Sequence, residues 1–134
     1  MRDKTPNIAK NVSGMRRLPR AILCSLKGYQ AAWKHESGFR QYLIMAVLVS
    51  PASFYISQSL THWFMLIGCL VFLLFAEIIN SAIEAVSDAV FPDYNELIGR
   101  AKDLGSAGVF TALLLAIVIW AISIYEFFTQ PFSL

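Results

Sequence analysis

The stretch from residue 77 to residue 88 reads Glu-Ile-Ile-Asn-Ser-Ala-Ile-Glu-Ala-Val-Ser-Asp. On a helix turning about 100° per residue, Glu77, Glu84 and Asp88 fall within a narrow arc, with Asn80 and Ser81 beside it. Isoleucine and alanine occupy most of the remaining surface. Carboxylates, an amide and a hydroxyl thus share one face. The preceding run, Trp63–Ala76, has no charged residue, and Glu77 closes it. An ionisable group at the edge of such a run costs at least a few kcal/mol unless it is paired or protonated. Its default reading is therefore functional, and the structural alternative is an interhelical ion pair with Arg40, Arg100 or Lys102.

Glu77 and Glu84 are two turns apart, about 10 Å along a helix axis. That is too far for one compact carboxylate pair and suits a division of labour. The deeper acid would meet a group in the membrane, and the shallower one something arriving from the aqueous side. Glu36, Glu84, Asp88 and Asp103, with Arg17, Arg100 and Lys102, gather on one rim of the spans. Mg²⁺ takes oxygen ligands and is commonly held by one or two carboxylates together with phosphates, so a rim of acids with nearby cations suits a magnesium–polyphosphate site. The sequence has no G-x-x-x-x-G-K-[ST], no G-x-G-x-x-G and no kinase catalytic-loop pattern. The residues alone point to a polar, acid-bearing, metal-assisted site at the inner membrane face. They leave an enzyme, a small proton-coupled transporter with Glu77 as proton relay, and a structural membrane adaptor as alternatives.

The elements that must position these groups are membrane helices. The chain has 134 residues and is 57% apolar, with a mean hydropathy of +0.56, beyond an ordinary soluble domain of this size. No charge occurs between Arg40 and Glu77 or between Asp103 and Glu126. Two long uncharged tracts in so short a chain read as membrane segments, since a spanning helix needs about 20 apolar residues. We expect one all-α domain over residues 1–134. It starts with a loose polar arm at 1–19 and an amphipathic helix at 20–35 lying on the membrane surface. Spans follow at 39–57, 63–90 and 104–127, with Pro51 inside the first and a loop at 91–99 before the third. Gly108, Ala112 and Ala116 recur every four residues and permit close helix approach.

Nine of the eleven Lys and Arg residues precede residue 41, and the other two are Arg100 and Lys102. The positive-inside rule then places the N-terminus and the second loop in the cytoplasm, and the 57–62 turn and C-terminal tail outside. A basic head on an apolar body suits anionic lipid or phosphate, and no aromatic-interleaved basic patch argues for nucleic acid. The start of the chain lacks the pattern of a signal peptide. Cys24 and Cys69 lack metal-ligand spacing and read as packing residues.

The 77–88 segment, followed by Tyr94-Asn-Glu-Leu-Ile-Gly-Arg-Ala-Lys-Asp103, closely resembles the prokaryotic diacylglycerol kinase family. Lys27-Gly-Tyr-Gln-Ala-Ala-Trp33 and Glu36-Ser-Gly-Phe-Arg-Gln41 are similar to it as well. The resemblance extends over about residues 16–126. It implies a homotrimer of three-span subunits in the bacterial inner membrane that transfers the ATP γ-phosphate to the primary hydroxyl of diacylglycerol. By the same resemblance Glu77 is the general base, Asn80 supports the site, and Glu36 and Glu84 hold Mg²⁺. Arg17, Cys24, Glu36, Glu84, Asp93, Tyr94, Asn95, Lys102 and Asp103 would contact the nucleotide. Arg17, Gln30, Trp33, Gly38, Phe39, Arg40, Tyr42, Tyr55, Glu77, Ser106 and Trp120 would contact the lipid. Cys24 stands where the enterobacterial type carries Tyr, and Tyr42 where it carries Glu. A sister group in the family phosphorylates undecaprenol, which makes that lipid the alternative substrate.

Overall fold

The structure is a computed structural model that describes residues 17–90 and 95–129, with the Arg17 side chain outside the description. The elements are α1 (Arg17–His35), α2 (Ser37–Ile56), α3 (Leu60–Val90) and α4 (Glu96–Thr129). The described residues fall into two units that divide between His35 and Glu36. The first is α1, a strongly amphipathic helix with Pro19 in its opening turn, where a proline costs no internal hydrogen bond. Lys34 and His35 close it, favourably placed for the negative end of the helix dipole.

The second unit holds α2, α3 and α4. Each is long and apolar enough to cross a membrane, as expected from the two uncharged tracts, the first of them divided by the polar turn at 57–62. The boundaries differ from the expected ones. Helix α3 begins at Leu60 rather than Trp63, because Ser59 accepts the His62 backbone N–H on its hydroxyl at 3.1 Å and so caps the helix. Helix α4 begins at Glu96, so residues 96–103, expected as loop and rim, are helical. The cause is Asn95, whose Oδ1 accepts the backbone N–H groups of Leu97 at 2.9 Å and Ile98 at 3.3 Å. Pro51 sits within α2. It cannot donate to the Val47 carbonyl, and the Ser50 hydroxyl does so instead at 3.1 Å.

Helix α3 packs most extensively on α4, and α2 packs mainly on α3. The packing rests on small residues: Ala112 and Ala116 of α4 and Ala46 of α2 are buried against Leu66, Leu70 and Leu73 of α3. In lipid the gain comes from close van der Waals contact, because the surrounding chains are as apolar as leucine. Gly108, the first member of the small stripe, is exposed. Polar ties away from the rim also join α3 to α4. Trp120 Nε1 donates to the Leu66 carbonyl at 3.2 Å. His62 and Ser123 meet at 2.8 Å, with the Ser123 hydroxyl donating in turn to Ile119 O. The Gln58 backbone N–H donates to His62 Nδ1 at 3.3 Å, so the other nitrogen, Nε2, carries the proton and donates to Ser123. Cys69 is buried, as its packing reading requires, whereas Cys24 is exposed. The amphipathic face that carries Cys24 has no core of its own to bury it, which corrects the packing reading there.

Candidate functional site

The polar face of α3 is the one the helix turns inward. Glu77 is 8% exposed, Asn80 8% and Ser81 7%, among otherwise apolar packing. The face then emerges, with Glu84 half-buried and Asp88 exposed. The arc read from the sequence is therefore a gradient of depth along one helix side. Glu77 and Asn80 line a cavity of about 250 Å³ together with Tyr42 of α2 and Ser106, Val109 and Phe110 of α4. All three spanning helices contribute to its wall.

Two glycines let the neighbouring helices come this close. Gly38, in the first turn of α2, lies so near the Glu77 carboxylate that a Cβ there would fall on Oε1. Gly105 of α4 has the same relation to Asn80 Oδ1. Asn80 also donates from Nδ2 to Glu84 Oε1 at 2.9 Å, while its buried Oδ1 has no hydrogen-bond partner among the described residues. Glu36 forms the N-cap position of α2 without a side-chain capping bond, which leaves its carboxylate for other work. The charges of Glu36 and Glu84 both reach Glu77 electrostatically. The three acids thus form one negative region.

Among the described residues no group of three or more His, Cys, Asp or Glu forms a cage for a metal ion. Carboxylates such as those of Glu36 and Glu84 have the donor chemistry that Mg²⁺ takes, because this ion keeps most of its shell for water and phosphates and needs only one or two protein carboxylates. Lys102 Nζ meets Asp88 Oδ1 at 2.9 Å across α3 and α4. Both partners are solvent-accessible, and such pairs contribute little to stability. Lys102 can therefore leave Asp88 at low cost. Asp103 beside it is exposed.

The expected residues do not all gather here. Glu77, Asn80, Glu84, Gly38, Tyr42 and Ser106 share this region of the spans. Phe39, buried next to Gly38, and Arg40 follow in the first turn of α2. Asn95 caps α4. Tyr55 lies at the far end of α2 and is 74% exposed. Trp120 is a core residue about 20 Å along α4 from Ser106, at 1.5 Å per residue. Cys24, Gln30 and Trp33 belong to α1, where all three are exposed. Asp93, Tyr94 and the Arg17 side chain lie outside the described residues. Gly105 escaped the sequence reading. The signal for it is faint: a glycine inside a helix, three residues before Gly108.

Three helices long and apolar enough to span a membrane, with buried acid and amide groups on the middle one and acids and a lysine at its end, make a polytopic membrane protein with a polar site between its helices. Comparison with known proteins gives the family. Residues 23–124 match the profile described as prokaryotic diacylglycerol kinase, and the chain belongs to that family. It is 37% identical over 121 residues to the diacylglycerol kinase of Escherichia coli K12, covering 90% of this chain and 99% of that protein. The diacylglycerol kinase of Pseudomonas aeruginosa PAO1 is 36% identical over 117 residues, 87% of this chain and 95% of that one. That of Haemophilus influenzae is 33% identical over 108 residues, 81% and 92%. The enzyme class expected from the sequence is thus that of the family.

Proposed function

We propose that this protein transfers the γ-phosphate of ATP to the primary hydroxyl of diacylglycerol, giving phosphatidic acid and ADP, at the cytoplasmic face of the bacterial inner membrane. The observation that carries the reading is Glu77: a carboxylate buried at the end of an uncharged span, seated against Gly38 and opening with Asn80 into the cavity between α2, α3 and α4. Family membership supplies the substrate class.

In this reading the lipid hydroxyl enters the cavity beside Glu77, which takes its proton as the hydroxyl oxygen attacks the γ-phosphorus. The bond from that phosphorus to the β,γ-bridging oxygen breaks, and ADP leaves. A general base must lie within hydrogen-bond reach of the proton it removes, and the place of Glu77 on the cavity wall supports that role. Mg²⁺, held by Glu36 and Glu84, would neutralise polyphosphate charge. Asn80 fixes the Glu84 carboxylate through its 2.9 Å hydrogen bond. Lys102 exchanges Asp88 for a phosphate oxygen, and Arg17, Cys24, Asp93, Tyr94, Asn95 and Asp103 complete the nucleotide contacts. Phosphoryl transfer asks mainly for positioning and charge neutralisation, so a bundle without a nucleotide-binding fold can meet it. Tyr55 and Trp120 lie farther along the spans, where acyl chains rather than the headgroup would run. Gln30 and Trp33 of α1 are assigned to the same lipid.

The N-terminus and the rim face the cytoplasm, as the distribution of Lys and Arg supports. A homotrimer shields the polar faces of so thin a bundle from lipid. A proton-coupled transporter would use Glu77 but leaves Glu36, Glu84 and Lys102 without a task.

The test is a mixed-micelle assay of the purified protein with γ-labelled ATP, offering diacylglycerol and undecaprenol separately. Label transferred to diacylglycerol in a magnesium-dependent manner is the expected result. Transfer to undecaprenol alone moves the assignment to the sister activity, and transfer to neither removes the kinase reading.

A further inference from the structure

We propose that Gly105 is a positioning residue of this site: its missing side chain leaves the space that the Asn80 amide oxygen fills, and this keeps the amide turned with its NH₂ group toward Glu84. The proposal rests on the reading of the site as that of a lipid kinase.

Asparagine's terminal torsion is broad and nearly two-fold, so the amide needs outside constraints to hold one orientation. Two act here. Glu84 Oε1 accepts from Nδ2 at 2.9 Å. On the opposite side, Oδ1 is buried with no partner among the described residues and lies against Gly105. A Cβ at position 105 would fall on Oδ1, while its next neighbours, Asn80 Cγ and Ile83 Cδ1, both stand 3.4 Å away, the edge of ordinary contact. The one hard conflict is with the amide oxygen. That oxygen ends a short side chain and can swing away at little cost to the fold. The NH₂ group swings with it and leaves Glu84, which lies within electrostatic reach of Lys102. Substitution at 105 therefore injures the site and spares the bundle.

Gly108 is the internal control. It lies one turn further along the same helix, and a Cβ there meets nothing within 4 Å. A requirement for small residues along α4 as a packing stripe would weigh on both glycines. A requirement set by Asn80 weighs on Gly105 alone.

The experiment compares the full-length wild type with Gly105→Ala, Gly108→Ala, Asn80→Ala and the Gly105→Ala/Asn80→Ala double variant, in diacylglycerol micelles with labelled ATP. Losing a hydrogen bond to a charged group should slow turnover of Gly105→Ala by about ten- to a hundredfold. The magnesium concentration for half-maximal rate should rise, because Glu84 has lost its tether. The KM for diacylglycerol should stay within about twofold, since the hydroxyl meets Glu77 rather than Glu84. Gly108→Ala should behave as wild type, and the double variant should be no slower than Asn80→Ala. The side-chain amide resonances of Asn80, read by nitrogen-15 NMR in the same detergent, should move in Gly105→Ala and stay in place in Gly108→Ala. Wild-type turnover by Gly105→Ala overturns the proposal, as do losses that multiply in the double variant or an equal loss in Gly108→Ala. A wild type that phosphorylates no diacylglycerol counts against the kinase reading instead. The amide resonances then decide the Gly105 contact by themselves.

Discussion

Glu77→Gln separates catalysis from packing at the one position where both readings can be measured. Glutamine has nearly the same size as glutamate, so the side chain still fits between Gly38 and the cavity wall, where a Cβ on Gly38 would not. It cannot accept the hydroxyl proton. Loss of a positioned general base costs about 10²–10⁴-fold in rate, or about 3–5.5 kcal/mol of transition-state stabilisation. Stability should hold or rise, because the change removes one of three mutually repelling charges, those of Glu36, Glu77 and Glu84, from a side chain that is 8% exposed. An ion-pair role would give the opposite pattern, since breaking a buried pair costs about 3–5 kcal/mol of stability. Lys102, one of the cations that such a pair would use, meets Asp88 instead. The assay measures turnover, ATP affinity and thermal midpoint on one purified sample. A hundredfold or greater loss of turnover, with ATP affinity and midpoint near wild type, is the expected outcome. Near-normal turnover in a folded protein would refute the general-base role, and a collapsed midpoint with normal activity per folded molecule would return Glu77 to structure.

Three further outcomes are expected. Glu84→Gln should raise the magnesium requirement and weaken use of Mg-ATP while the fold persists, read by activity against magnesium concentration; an unchanged curve removes Glu84 from the metal site. A cysteine at Ser59 should react with an impermeant thiol reagent added from outside and one at Asn95 should not, provided the native Cys24 and Cys69 are replaced first; labelling of Asn95 from outside inverts the topology. His62→Ala removes the tie between the start of α3 and Ser123 near the end of α4, at a cost of about 1 kcal/mol, measured as a fall in thermal midpoint with turnover per folded molecule retained.

The number and character of the spans were legible in the sequence, because charge is excluded from hydrocarbon so strongly that its absence marks two tracts, and the polar turn at 57–62 divides the first into two spans. The acidic face of α3 was legible for a related reason: helical period fixes which side chains share a side before any partner is known. The local caps were readable in principle, since Ser59 and Asn95 are residue types that start helices. Their positions went unread because polar residues at a span's end look the same in a loop as in a cap, and so residues 96–103 were expected outside α4. Depth along the polar face required the tertiary structure. Glu77 and Asn80 are buried because α2 and α4 close over them, while Asp88, on the same side of the same helix, is exposed and meets α4 only through the Lys102 side chain. The partnership of Asn80 with Glu84 follows helical spacing, but the seating of Asn80 on Gly105 and of Glu77 on Gly38 does not. Those contacts join residues 25 and 39 positions apart, and only the crossing of three helices decides which glycine a carboxylate or an amide will meet.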